Sequence, residues 1–339
     1  MRVIVSFCVV CLLSTGACRQ NAADSSMQKI EKRDGSATGL KIKSPGELWY
    51  DETGALINAH GGGIIFHGKR YYWFGEKRGV SASEGINVYS SEDLYNWRPE
   101  GIALAPDSLD TLSDIAVGCL MERPKVIYNA KTKKFVLWFH LERRGQGYNS
   151  ARAGVAVSDT ITGPYKFVQS ARPNGNMSRD LTAFVDDDGN AYLIYASRDN
   201  ADLRIARLND DFLSVSASDT LLFSGFREAP AIFKSNEQYY LFTSGSTGWS
   251  PNPTTLHRAK NLWGPWHRSW KNPLKGPDAR QSFYGQPTFI FSLEGLSNQF
   301  IFMADRWNPQ NLQDSRYLWL PINFKEDLPF VEWKENFKH

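Results

Sequence analysis

One pattern recurs five times along this chain: a small or charged polar signal, an apolar strand, a polar turn, and an aromatic-rich strand. The copies begin at His60-Gly61-Gly62-Gly63, Glu122-Arg123-Pro124-Lys125, Arg179-Asp180-Leu181-Thr182, Arg227-Glu228-Ala229-Pro230 and Gly285-Gln286-Pro287-Thr288. They return through Tyr72-Trp73-Phe74-Gly75-Glu76, Leu137-Trp138-Phe139-His140, Tyr192-Leu193-Ile194-Tyr195, Tyr239-Tyr240-Leu241-Phe242 and Phe300-Ile301-Phe302-Met303. A spacing of roughly 50–60 residues suits one four-stranded blade, and each pair reads as a hairpin. Further strands follow at 86–90, 153–157 and 203–207, and a closing phrase recurs as Leu94-Tyr95-Asn96-Trp97, Thr162-Gly163-Pro164-Tyr165 and Leu262-Trp263-Gly264-Pro265-Trp266. Helical periodicity is nearly absent. The pattern predicts an all-β, five-bladed β-propeller over residues 40–339, its ring closed by segments 43–50 and 315–335.

In a propeller the innermost strand of every blade starts near the central channel, so the residues opening each copy converge on one axial pocket. Those residues include Glu122, Asp180, Glu228 and Gln286, with Glu76 at the end of the second strand of blade one. Glycoside hydrolysis needs such an array, because one acid protonates the leaving oxygen while another group handles the water or the anomeric carbon. A carboxylate beside a like charge, or shielded from water, holds its proton more tightly and can act as a general acid near neutral pH.

Seven phrases in order give a specific resemblance: Ala59-His60-Gly61-Gly62-Gly63, Tyr72-Trp73-Phe74-Gly75-Glu76, Glu122-Arg123-Pro124-Lys125, Ser178-Arg179-Asp180, Glu228-Ala229-Pro230-Ala231, Thr247-Gly248-Trp249 and Asp305-Arg306-Trp307-Asn308-Pro309. Together they resemble the exo-β-1,3-galactanase branch of glycoside hydrolase family 43, over about residues 58–320. The resemblance implies a five-bladed propeller that inverts at the anomeric carbon and releases galactose from β-1,3-galactan without a cofactor or metal. It makes Glu228 the general acid and Asp180 the companion that orients it and tunes its pKa. The Asp that most of the family places before the first strand is missing here, as it is throughout that branch, and Gln286 stands where a glutamine is thought to replace it. An amide can position the water; whether it also accepts the proton stays open, with Glu122 in reserve as base. Glu76 and Glu122 are expected to hold substrate hydroxyls.

Trp249, in a polar Gly/Ser/Thr loop, is a candidate for stacking on sugar, and Tyr148 and Trp307 are weaker ones, since propeller aromatics usually pack between blades. The adjacent pairs Glu122-Arg123, Arg179-Asp180 and Arg227-Glu228 could instead be structural ion pairs. His60 and His140 lack metal-ligand spacing and read as structural. Asp186-Asp187-Asp188-Gly189 lacks the further ligands of a calcium loop and reads as a hairpin turn.

Before the repeats, Arg2 and the apolar run 3–13 read as an export signal over residues 1–17, too short to span a bilayer. Ser14-Thr15-Gly16-Ala17-Cys18 resembles a bacterial lipoprotein site, which predicts a lipid on Cys18, a flexible tether over 18–39 and a periplasmic or outer-membrane-anchored monomer. An ordinary cleaved signal peptide is the alternative. Three of the four cysteines fall in this leader, so Cys119 has no partner within the fold. A net charge of +3 without a basic stripe gives no footprint for nucleic acid. Rival readings are another family-43 specificity (arabinofuranosidase, xylosidase or galactofuranosidase) and a non-catalytic glycan-binding propeller; the first would be expected to keep the blade-one Asp, and the second has no need of a general acid.

Overall fold

The computed structural model describes residues 41–335 and the strand Phe337–Lys338, so the expected signal and tether lie outside the described residues. Blade one is built from His60–His67, Arg70–Arg78, Ser83–Ser91 and Arg98–Leu104, and blade two from Leu120–Asn129, Lys134–Glu142, Arg152–Ser158 and Lys166–Ala171. Blade three uses Leu181–Val185, Ala191–Ser197, Asp202–Leu208 and Val215–Ser224, and blade four Arg227–Ser235, Gln238–Gly245, Thr255–Ala259 and His267–Arg268. Blade five comprises Gln286–Ser292, Phe300–Arg306, Arg316–Lys325 and Leu328–Glu332, with Leu274–Lys275 added in parallel at its edge. Within each blade the four main strands pair antiparallel in chain order, and the five first strands touch their neighbours in a closed ring about the axis. The sequence therefore places the fold and its five blades correctly.

Strand alternation explains how the ring coheres. Successive side chains leave a strand on opposite faces, so each blade offers one apolar face to each neighbour. Five buried clusters result, one per junction between blades. Trp73 faces blade five, while its sequence neighbour Phe74 faces blade two. The closing phrases do one job in three blades: Trp97 Nε1, Tyr165 Oη and Trp266 Nε1 each donate to a carbonyl three or four residues earlier, at Leu94, Ile161 and Leu262.

The ring closes differently from expectation at its N-terminal side. Residues 316–332 do supply outer strands of blade five, but segment 43–50 adds no strand to a blade. It inserts Trp49, 1% exposed, between blades five and one, where the indole lies 6.1 Å from Trp73, 5.2 Å from Trp319 and 5.4 Å from Tyr317. The physical reason is that blade five already completes its four strands from its own segment. The Asp186–Asp188 stretch is the expected hairpin turn, with the Lys234 ammonium 2.7 Å from Asp187.

Candidate active site

Four blades begin their first strand with a break in register, after His60, Glu122, Glu228 and Pro287. In three of them the residue at the break has positive φ: Gly61 at 60°, Arg123 at 54° and Ala229 at 54°. Such bulges bend a strand and re-aim the neighbouring side chain. They also explain the prolines at 124, 230 and 287, which lack the N–H a regular ladder would need. Left-handed backbone costs about 1–2 kcal/mol at a non-glycine residue, which Arg123 and Ala229 bear beside the pocket.

All five blades contribute to one cavity of 290 Å³. Every residue singled out from the sequence lines it: Glu228, Asp180, Gln286, Glu76, Glu122, Trp249, Tyr148 and Trp307. The Lys125 side chain is buried beside the cavity residues Gly61 and Arg123. Its Nζ donates to the Gly61 carbonyl at 2.8 Å and lies 5.8 Å from the centre of the Phe289 ring, joining blade two to blades one and five.

Glu228 accepts from two amides, Asn200 Nδ2 at 2.7 Å and Gln286 Nε2 at 2.8 Å. Burial, followed by the charge of Asp180, pushes its pKa up to about 7 against the pull of Arg123. Asp180 is 2.9 Å from Arg123 Nη2 and accepts the Ala229 amide N–H at 3.1 Å, so it grips the backbone beside the acid. Gln286 is bonded at both ends of its amide. Its oxygen accepts from Arg123 and from Trp307 Nε1, and its nitrogen donates to Glu228 and to Ser244 Oγ.

A second group of charges faces this one. Glu122 Oε1 accepts from Arg78 Nη2 at 2.8 Å and from the Tyr148 hydroxyl at 2.9 Å, while Oε2 is 3.1 Å from His140 Nδ1. Burial alone would raise its pKa, but Arg78 and His140 hold it well below the usual carboxylate range. That makes Glu122 a poor proton acceptor. Glu76 is 2.7 Å from Arg78 Nε and accepts from Ser83 Oγ, with its pKa raised chiefly by burial.

The adjacent charged pairs do not pair with each other. Glu122 goes to Arg78, Asp180 to Arg123, Arg179 to Asp199, and Arg227 to backbone oxygens of Thr243 and Pro253. Neighbours along an extended chain point apart, so these partners come from other strands. Trp249 and Trp307 contact edge-to-face at 5.5 Å, and the Trp307 ring lies near both the Arg78 and Arg123 guanidinium groups. They line the cavity and are not packed between blades. His60 is a packing residue, fully buried and stacked on Tyr317. His140, expected to be structural, instead faces the cavity. Sequence reasoning also passed over Arg78, Arg123 and Asn200; position two residues after Glu76 was the one signal for Arg78. Ligand atoms of Glu122, His140 and Asp180 come within 4.8 Å of one another, but Arg78, Arg123 and Glu142 already pair with them.

The family model for glycosyl hydrolases family 43 matches residues 62–327. A family-43 β-1,3-galactosidase solved with galactodeoxynojirimycin is 48% identical, covering 86% of this chain and 99% of that one, with a TM-score of 0.84. An exo-β-1,3-galactanase from Phanerochaete chrysosporium, solved with galactose, is 35% identical over 88% of this chain and 68% of that one, with a TM-score of 0.81. Among curated proteins, a xylan 1,3-β-xylosidase from a Vibrio species is 28% identical over 203 residues, 56% of this chain and 37% of that protein's length. The chain thus spans about a third of that curated relative.

Proposed function

Because this chain belongs to glycosyl hydrolase family 43, we propose that it is an inverting, exo-acting galactan 1,3-β-galactosidase that removes galactose from the end of a β-1,3-galactan. The observation that carries the reading is the cavity shared by all five blades with Glu228 on its wall, held by two amides and with its pKa pushed up to about 7 by burial and by Asp180. An axial pocket of this size takes in one chain end and leaves the polymer outside. The galactose-specific neighbours support the choice of sugar.

Glu228 gives its proton to the glycosidic oxygen as the bond to the anomeric carbon breaks. A water on the opposite face of the ring attacks that carbon as its bond to the leaving oxygen breaks, inversion delivers α-galactose, and the proton the water sheds passes to solvent, from which Glu228 is reprotonated. Gln286 orients Glu228, since its amide joins Arg123 and Trp307 to the acid; all four of its hydrogen-bonding positions are taken, so it places the attacking water only by exchanging one of these bonds when substrate enters. Glu76 and Glu122 are committed to Arg78, and Asp180 to Arg123, so among the described residues lining the cavity no further carboxylate stands free to act as the base. Glu122 has four acceptor sites and three protein partners, which leaves one for a sugar hydroxyl. We further infer export, with a lipid on Cys18, from the leader-like residues 1–17 and the small residues before that cysteine.

The test is product analysis on β-1,3-galactan and on aryl β-galactoside, arabinofuranoside and xyloside, with NMR following the first anomer. Galactose appearing first as the α-anomer is expected; release of pentose alone would overturn the specificity. Glu228→Gln should cut turnover about 100-fold or more while keeping sugar affinity. Near-full activity in that variant would remove Glu228 from the acid's role.

A further inference from the structure

Behind Glu122 lies a buried arrangement that the catalytic steps above do not use. His140 has a carboxylate oxygen at each ring nitrogen: Glu122 Oε2 is 3.1 Å from Nδ1 and Glu142 Oε1 is 2.8 Å from Nε2. Nε2 is hydrogen-bonded to Glu142, whereas Nδ1 faces Glu122 Oε2 off its ring N–H direction, as an ion-pair contact; a neutral imidazole sets a lone pair against one of these carboxylates, and the imidazolium attracts both. Both His140 and Glu142 are 1% exposed, and Glu142 does not reach the cavity. The other oxygen of Glu142 accepts the Ala151 amide N–H at 3.0 Å. Ala151 ends the loop that carries Tyr148, whose hydroxyl returns to Glu122 at 2.9 Å. One carboxylate outside the site therefore anchors both the histidine and the loop that bracket Glu122.

We propose that His140 and Glu142 are positioning residues: clamped between two carboxylates, His140 is an imidazolium that fixes Glu122 as the acceptor of a substrate hydroxyl. This rests on the glycosidase reading of the cavity. The groups facing the ring are Glu122 and Tyr148 from blade two, Glu142 on its own strand, Asp180 from blade three, and Arg78 and Glu76 from blade one, which reach it through Glu122. Burial would strip the ring of its charge, but the two carboxylates outweigh burial and push its pKa up to about 9.

Glu142→Gln tests the clamp in the full chain. The new amide can still accept from Ala151 N–H through its oxygen, while its NH2 group meets Nε2 as a donor and so favours the neutral ring. Nitrogen-15 NMR of the histidines needs no substrate. In the unmodified protein the His140 ring should be doubly protonated from pH 5 to pH 8; in the variant it should become neutral within that range. Steady-state kinetics on a galactoside should show KM raised about tenfold at pH 8 with kcat changed far less, KM recovering as the ring reprotonates at lower pH. A neutral ring in the unmodified protein overturns the proposal, and does so whatever the enzyme hydrolyses. So does a variant with a neutral ring and an unchanged KM. Failure to hydrolyse any glycoside, with the imidazolium seen by NMR, would instead count against the galactosidase reading.

Discussion

Glu228 keeps its proton into the neutral range because burial, and then the Asp180 charge, both oppose ionisation. A general acid works only while protonated, so kcat/KM should fall as pH rises through about 7. Asp180→Asn keeps an oxygen for the Ala229 amide N–H and removes the charge. The acid then ionises more readily, and the alkaline limb should move to lower pH by about one unit. A pH–rate profile that stays in place, or moves upward, would show that Asp180 does not tune the acid. At this scale the acids were readable because each opens a repeat, and repeat starts converge. The arginines were not. Arg123 follows Glu122 in the chain yet serves Asp180 and Gln286, because a bulge with φ of 54° turns it toward blades three and five.

The bulged strand starts are the elements that aim the site, and they depend on close backbone approach. In blade one, Gly75 lies so near the preceding loop that a Cβ there would sit 2.1 Å from the Ala59 carbonyl carbon. Gly75→Ala must push the second strand off the first, where His60 pairs with Glu76. It should cost about 3 kcal/mol and lower Tm, with Glu76 displaced from Arg78. Calorimetry beside a sugar-binding measurement checks this; an unchanged Tm would mean that the loop yields freely. Strand pairs and blade order were legible from alternating apolar residues and aromatic returns. The bulges were visible only as Glu-x-Pro and Gln-Pro phrases, whose meaning depends on which partner strand they oppose.

Across the whole molecule, the sequence announced five repeats but not how the ring would be held shut. Trp49 fills the seam between blades five and one as packing, and its role was hidden because a lone tryptophan in an irregular segment has no period to read. With Lys125 buried beside the cavity and bonded across to blade one, a single mouth is expected to serve as both entrance and exit. A freed sugar at the bottom is trapped beneath the polymer that delivered it. The shortened chain must dissociate before the sugar can escape, so the enzyme is expected to let go of its polymer after every cut. Early in digestion of a uniform galacto-oligosaccharide, all chains should therefore lose one unit before many lose two; chains digested to completion beside untouched ones would point to a second way out.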